Sequence, residues 1–281
     1  MDPDLNPPHD TSLAEAREAS PIAPGKLLPE RNRSAAFTGE SPAWGVGDVL
    51  GLAGVALLAI VFFSTVAVVL AQLFQHGTPV SEIVKDVRVI LGAQAAAYLV
   101  LLLFMHMLIA RRDDAPFPVA VKWNWPETRW AAWIVLGVLL AIVTQTVSSL
   151  LPIPKSLPID SYFHDQASAW AMAAFGTLLA PLVEELFFRG FLYPVLARGL
   201  GVIAGVAITA ALFAVVHSAQ LAHAWAPLLV LFAVGVALTL VRARTGSVAT
   251  SLLVHMGYNA TLFTLVYFAT DRFQHLERMT Q

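Results

Sequence analysis

Pro181–Tyr193 reads PLVEELFFRGFLY and sets two adjacent glutamates and an arginine inside an otherwise apolar, helix-like run. In a bilayer-spanning helix each such charge costs roughly 2.5 to 3.5 kcal/mol on insertion scales, so an ionisable cluster there marks a site or an internal pair. On an α-helix Glu185 and Arg189 are four residues apart on one face and can neutralise each other, whereas Glu184 is turned about 100° away. Glu184 therefore requires another partner or a chemical task. The Glu185–Arg189 pair is read as structural, holding its helix against its neighbours, with an indirect part in any chemistry.

The remainder of the chain supports a membrane setting. Of 281 residues 57% are hydrophobic and 13% charged, and the mean hydropathy is +0.69, values that describe a polytopic membrane protein and not a water-soluble domain. The expected fold class is all-α, a polytopic transmembrane bundle of about seven spanning helices. With no cysteine, disulfides, Cys-ligated zinc and a cysteine nucleophile are excluded. Residues 1–43, rich in Pro, Ser and charge and without apolar periodicity, read as a disordered cytoplasmic tail. The first hydrophobic segment lies too far in and is too long for a signal-peptide core, so it is expected to remain as an anchor. Residues 44–270 then make the transmembrane domain and 271–281 a short C-terminal tail.

Uncharged runs at Val49–Ala71, Val89–Ala110 and Trp130–Leu151 each reach the ~20 residues that a spanning helix needs. A fourth span runs from near Ala167 to Arg198 and carries the glutamates. The uncharged stretch Gly199–Val241 is too long for one helix, and His223 with Pro227 divides it into spans at about 200–219 and 225–241. Ser247–Thr270 is the seventh. Lys26, Arg31, Arg33, Arg111, Arg112, Lys122, Arg129, Arg198, Arg242 and Arg244 fall on one side of this bundle, against Lys85, Arg88, Lys155, Arg272 and Arg278 on the other. By the positive-inside rule the N-terminus is cytoplasmic and the C-terminus outside, in a multi-pass protein of the plasma (inner) membrane. The expected partners are membrane lipids and a membrane-anchored peptide or protein substrate; no nucleic acid is expected.

Residues that react together must share a depth. Counted from a turn near residues 199–200, Glu184 and His217 both lie roughly 22 to 26 Å along antiparallel helices at 1.5 Å per residue. In the last span His255 and Asn259 are four apart on one face and reach a similar zone. Pro181, one turn before the glutamates, leaves the Thr177 carbonyl without its helical donor and can kink the fourth span there.

EELFFR (Glu184–Arg189), FAVVH (Phe213–His217) and HMGYN (His255–Asn259) resemble the EExxxR, FxxxH and HxxxN signatures of the CPBP family, the CAAX-protease and bacteriocin-processing intramembrane proteases also called the Abi family. The resemblance covers about residues 165–270 and departs at no motif position. It implies hydrolysis of peptide bonds within the membrane on a helical bundle, with Glu184, Glu185, Arg189, His217, His255 and Asn259 at the functional positions.

The residue chemistry agrees. Amide hydrolysis needs a general base beside a water and donors for the tetrahedral oxyanion. Glu184, unpaired, can take the proton of a water shared with His217, while His255 and Asn259 supply the donors. Glu184, His217 and His255 also make a two-His, one-carboxylate set like that of zinc peptidases, and the family has been called metalloproteases by name. The metal-free reading is preferred, because Asn259 beside His255 makes better sense as an oxyanion donor and no HExxH is present.

Gly45-Val46-Gly47-Asp48 matches the GxGD motif of intramembrane aspartyl proteases, but no second membrane aspartate accompanies it. Nor is there a GxSxG serine arrangement. His76, His106, His164 and His223 read as loop or interface residues, and Trp44, Trp130, Trp170 and Trp225 as interfacial anchors. Two other function classes share these features: a non-catalytic scaffold or regulator of the same fold, which the intact motif set argues against, and a transporter, which the confinement of charge to one cluster argues against.

Overall fold

The computed structural model describes residues 40–74, 77–154 and 156–277. The expected disordered tail therefore falls largely outside the described residues, as do His76, Lys155 and Arg278. Among the described residues seven long helices follow one another: α1 (Val46–Phe74), α2 (Val87–Arg112), α3 (Trp130–Ser148), α4 (Gln166–Leu200), α5 (Val202–Val216), α6 (Trp225–Thr245) and α7 (Val248–Ala269). There is no strand among the described residues. Six of the seven are long and apolar enough to cross a membrane, so the chain is an integral membrane protein with an all-α polytopic fold.

The exception is α5. Its 15 residues rise about 22 Å, short of a hydrocarbon core of about 30 Å. It starts at Gly201, whose φ of +84° suits glycine, and stops where His217 caps it. The His217 amide bonds back to Ala214 O at 3.1 Å, a tighter turn that leaves the Phe213 carbonyl for the imidazole Nδ1 at 2.8 Å. The chain then turns through residues 218–224 into α6, with Ala222 and His223 both in the left-handed region. A side chain of the motif thus ends the helix that carries it.

α4 is a single 35-residue rod, α-helical except for two wide turns. At Phe175–Leu179 and Leu186–Leu192 the hydrogen bonds lengthen to i→i+5, with Ala180 N donating to Phe175 O and Tyr193 N to Phe188 O. Such π-turns absorb an extra residue, and the first lies directly before Pro181, where the ordinary ladder lacks a donor. They bracket the two glutamates.

α4 lies against α5 and α7, α6 packs on α5 and α7, α3 lines α7, and α1 pairs with α2. The backbones of α3 and α7 approach closely. A Cβ on Gly137 would meet Tyr258 N at 2.7 Å and Val254 O closer still, and one on Gly257 would meet the Ile134 backbone. Glycine here is a packing requirement that lets two backbones touch.

One end of the bundle is laced by ion pairs. Arg112 reaches Asp48 (2.9 Å), and Arg198 donates to Pro42 O (2.7 Å) and Trp44 O (3.1 Å). Buried Arg242 and the Lys122 ammonium both hold Glu40, at 2.8 and 3.0 Å. Four of the basic residues grouped on one side from the sequence, Arg112, Lys122, Arg198 and Arg242, thus meet at one end. Asp48 also accepts from Gly45 N (2.9 Å), so the GxGD look-alike is a structural cap. Trp44 is a correction: it is 2% exposed, donates Nε1 to Phe191 O (3.0 Å) and packs on the Phe191 ring, so it is a core residue. Trp130, Trp170 and Trp225 are exposed near helix ends. At the opposite end Phe273, beyond α7, packs with Phe163 and Ala169.

Candidate active site

Between the two wide turns of α4, Glu184 and Glu185 point to different partners. Glu185 is completely buried, and both of its oxygens are engaged. Oε1 accepts from Arg189 Nη1 (2.9 Å) and lies 2.9 Å from His255 Nδ1, while Oε2 accepts from the Ser251 hydroxyl (2.6 Å). Arg189, also fully buried, donates Nη2 to Gly235 O (3.2 Å) and Nε to Thr239 Oγ1 (3.3 Å), and its guanidinium stands 4.6 Å from the Phe213 ring. The pair read from the sequence is present, inside a larger network that spans α4, α5, α6 and α7. Every charge in it is matched by an opposite charge or an oriented dipole, as a buried pair requires.

Glu184 lies between two imidazoles. His217 Nε2 is 3.7 Å from Glu184 Oε1 and His255 Nε2 is 3.8 Å from Glu184 Oε2. In each ring the other nitrogen is committed, Nδ1 of His217 to Phe213 O and Nδ1 of His255 to Glu185 Oε1. A carbonyl and a carboxylate only accept, so in the neutral rings both protons sit on Nδ1 and both Nε2 lone pairs face Glu184. The Glu184 and His217 side chains keep 17% and 21% of their accessible surface, enough for a small molecule to touch them, while Glu185 and Arg189 keep none.

Five of the six residues named from the sequence, Glu184, Glu185, Arg189, His217 and His255, are therefore brought together. Asn259 stands on the same face of α7, but its Nδ2 donates to Gly176 O (2.6 Å) in the first wide turn of α4. One N–H of that amide is spoken for. The sequence reading missed Ser251, Thr239 and Gly235. Ser251 had a signal, since Ser251, His255 and Asn259 form an i, i+4, i+8 stripe; Thr239 and the Gly235 carbonyl had none.

A catalytic zinc would take Glu184, His217 and His255 as ligands and leave a separate carboxylate to act as base. The adjacent Glu185 is saturated by Arg189, His255 and Ser251. Among the described residues no three His, Cys, Asp or Glu side chains are arranged to hold a metal ion. The residues do not fit a zinc-peptidase centre, and the metalloprotease alternative is not supported.

Residues 166–261 match the family described as Type II CAAX prenyl endopeptidase Rce1-like. This region, about a third of the chain, holds all three motifs, and its match is to the CPBP/CAAX-protease family. No curated protein and no solved structure matches the chain.

Proposed function

We propose that this CAAX-protease-family domain hydrolyses peptide bonds of membrane-anchored peptides or protein tails, with Glu184 as the base that activates water. The supporting observation is the convergence of Glu184 with the Nε2 lone pairs of His217 and His255 at 3.7 and 3.8 Å. These gaps are too long for direct hydrogen bonds. The Glu184–His217 gap suits two acceptors that share one water, since two bonds of about 2.8 Å meeting near a right angle leave their ends just under 4 Å apart.

The water donates one hydrogen to Glu184 and the other to His217. Its oxygen adds to the carbonyl carbon as its proton passes to Glu184, and the carbonyl π electrons move onto the oxygen. When the tetrahedral intermediate collapses, the C–N bond breaks and Glu184 returns the proton to the leaving nitrogen, giving a carboxylic acid and an amine. Glu185 fixes the tautomer of His255 and Arg189 fixes Glu185, so these two act through His255. The second N–H of Asn259 serves the oxyanion. His255 in its Nδ1–H tautomer offers a lone pair at Nε2, not a donor.

The protein is proposed to lie with its N-terminus and the ion-paired end in the cytoplasm, by the distribution of basic residues. The function is tested with the purified chain in lipid vesicles and internally quenched peptides anchored by a prenylated cysteine, an acyl chain or an apolar helix. Hydrolysis by the wild type and none by Glu184→Gln is expected. A wild type that cleaves none of the three while carrying a solute across the vesicle wall would replace this reading with a transporter.

A further inference from the structure

Oxyanion stabilisation ordinarily draws on more than one donor, and the motif residues leave only the second N–H of Asn259. A further donor stands on α2, outside the matched residues 166–261. Tyr98 is packed with its ring stacked on Phe175, centroids 5.8 Å apart and planes 18° from parallel. Its hydroxyl accepts from Gln94 Nε2 at 2.8 Å and, among the described residues, donates to nothing. Its side chain packs against the buried cluster that includes Val183 and Leu186, the residues on either side of the two glutamates.

A phenol has one proton and two lone pairs. Gln94, one turn earlier on the same helix, fills a lone pair and so turns the O–H away from α2. A partly buried O–H without an acceptor is unfavourable unless it meets a partner that comes and goes. Phe175 and Gly176 are consecutive in the first wide turn of α4, so one backbone feature seats the Tyr98 ring and holds the Asn259 amide through Gly176 O.

We propose that Tyr98 donates a hydrogen bond to the carbonyl oxygen of the scissile bond, completing with Asn259 an oxyanion site built from α2 and α7. This rests on the hydrolytic reading above. Tyr98 transfers no proton; it stabilises the negative oxygen while water adds and amine leaves.

The test uses the full chain in vesicles, with the quenched peptides and with a peptidyl phosphinate, a non-hydrolysable mimic of the tetrahedral intermediate. Tyr98→Phe keeps the stacked ring and removes only the hydroxyl. It should lower kcat about a hundredfold, at the low end for loss of an oxyanion donor, with KM unchanged and phosphinate affinity weakened by a similar factor. Gln94→Leu should move both in the same direction by less, and neither variant should shift the melting temperature as loss of a packing residue would. Wild-type kcat and wild-type phosphinate affinity in Tyr98→Phe would overturn the assignment. If the wild type binds phosphinate but cleaves no peptide, the hydrolytic reading fails, and the phosphinate affinities alone decide for Tyr98: weakened supports it, equal overturns it. A wild type that neither cleaves nor binds overturns both.

Discussion

Glu185 Oε1 and His255 Nδ1 stand 2.9 Å apart, and through that contact a buried carboxylate on α4 decides which nitrogen of an imidazole on α7 faces Glu184. The same oxygen accepts from Arg189 at 2.9 Å. Glu185 is thus both half of an ion pair and the orienting group of a histidine, the role that a second carboxylate commonly has behind a ligating or reacting imidazole.

Glu185→Ala and Arg189→Ala should each reduce the amount of folded protein, because either leaves a charge without its partner in a site that excludes water, at about 3 to 5 kcal/mol. Detergent-solubilised yield and melting temperature measure this. Variants as stable as the wild type yet inactive would show that the pair does not hold the bundle and that Glu185 acts in the reaction itself.

Gly257→Ala should drive α3 and α7 apart, since the new methyl would press into the backbone of Ile134. Overpacking of this kind costs about 1 to 3 kcal/mol. Because Gly257 lies between His255 and Asn259, the displacement should also lower activity. A melting temperature and turnover equal to wild type would mean that the helices separate at no cost.

Glu40 supplies a pH-dependent term. Burial pushes its carboxyl up, but the Arg242 guanidinium and the Lys122 ammonium outweigh that and hold it below the usual carboxylate range. A depressed folded-state value means that the stabilisation is fully present above the unfolded carboxylate pKa of about 4.3 and is lost as pH falls through the folded value. The stability gap between wild type and Glu40→Gln should therefore be widest at neutral pH and shrink under acid. A gap that does not change between pH 7 and 3 would contradict the ion-pair account.

Zinc analysis bears on the saturation of Glu185. Protein purified without added metal should hold far less than one equivalent, and chelators should leave hydrolysis largely unchanged. Stoichiometric zinc, with activity lost on chelation and restored by zinc, would make Glu184, His217 and His255 ligands and leave the peptidase assignment standing.

Much of the site was legible because charge is so rare in these spans. Glu184, Glu185, Arg189, His217 and His255 stand out against apolar neighbours, and counting residues from the α4–α5 turn already set Glu184 opposite His217. What could not be read depends on backbone detail or on contacts distant in sequence. The run Gly199–Val241 gives no sign that His217 will cap α5 early, since that depends on a side chain bonding to Phe213 O. Pro181 signalled an irregularity, but not two π-turns that hand Gly176 O to Asn259. Trp44 has the composition of an interfacial anchor, and only its bond to Phe191, 147 residues away, makes it core.

The central claim is that Glu184 is the base. Its most direct test is cleavage of a membrane-anchored peptide in ¹⁸O-labelled water, with wild type and Glu184→Gln compared at equal folded amounts and the products weighed by mass spectrometry. The account predicts one ¹⁸O in the new carboxyl group of the wild-type product and no product above background from Glu184→Gln, whose amide fills the same volume but cannot accept the proton. Labelled product formed by Glu184→Gln at the wild-type rate would contradict it.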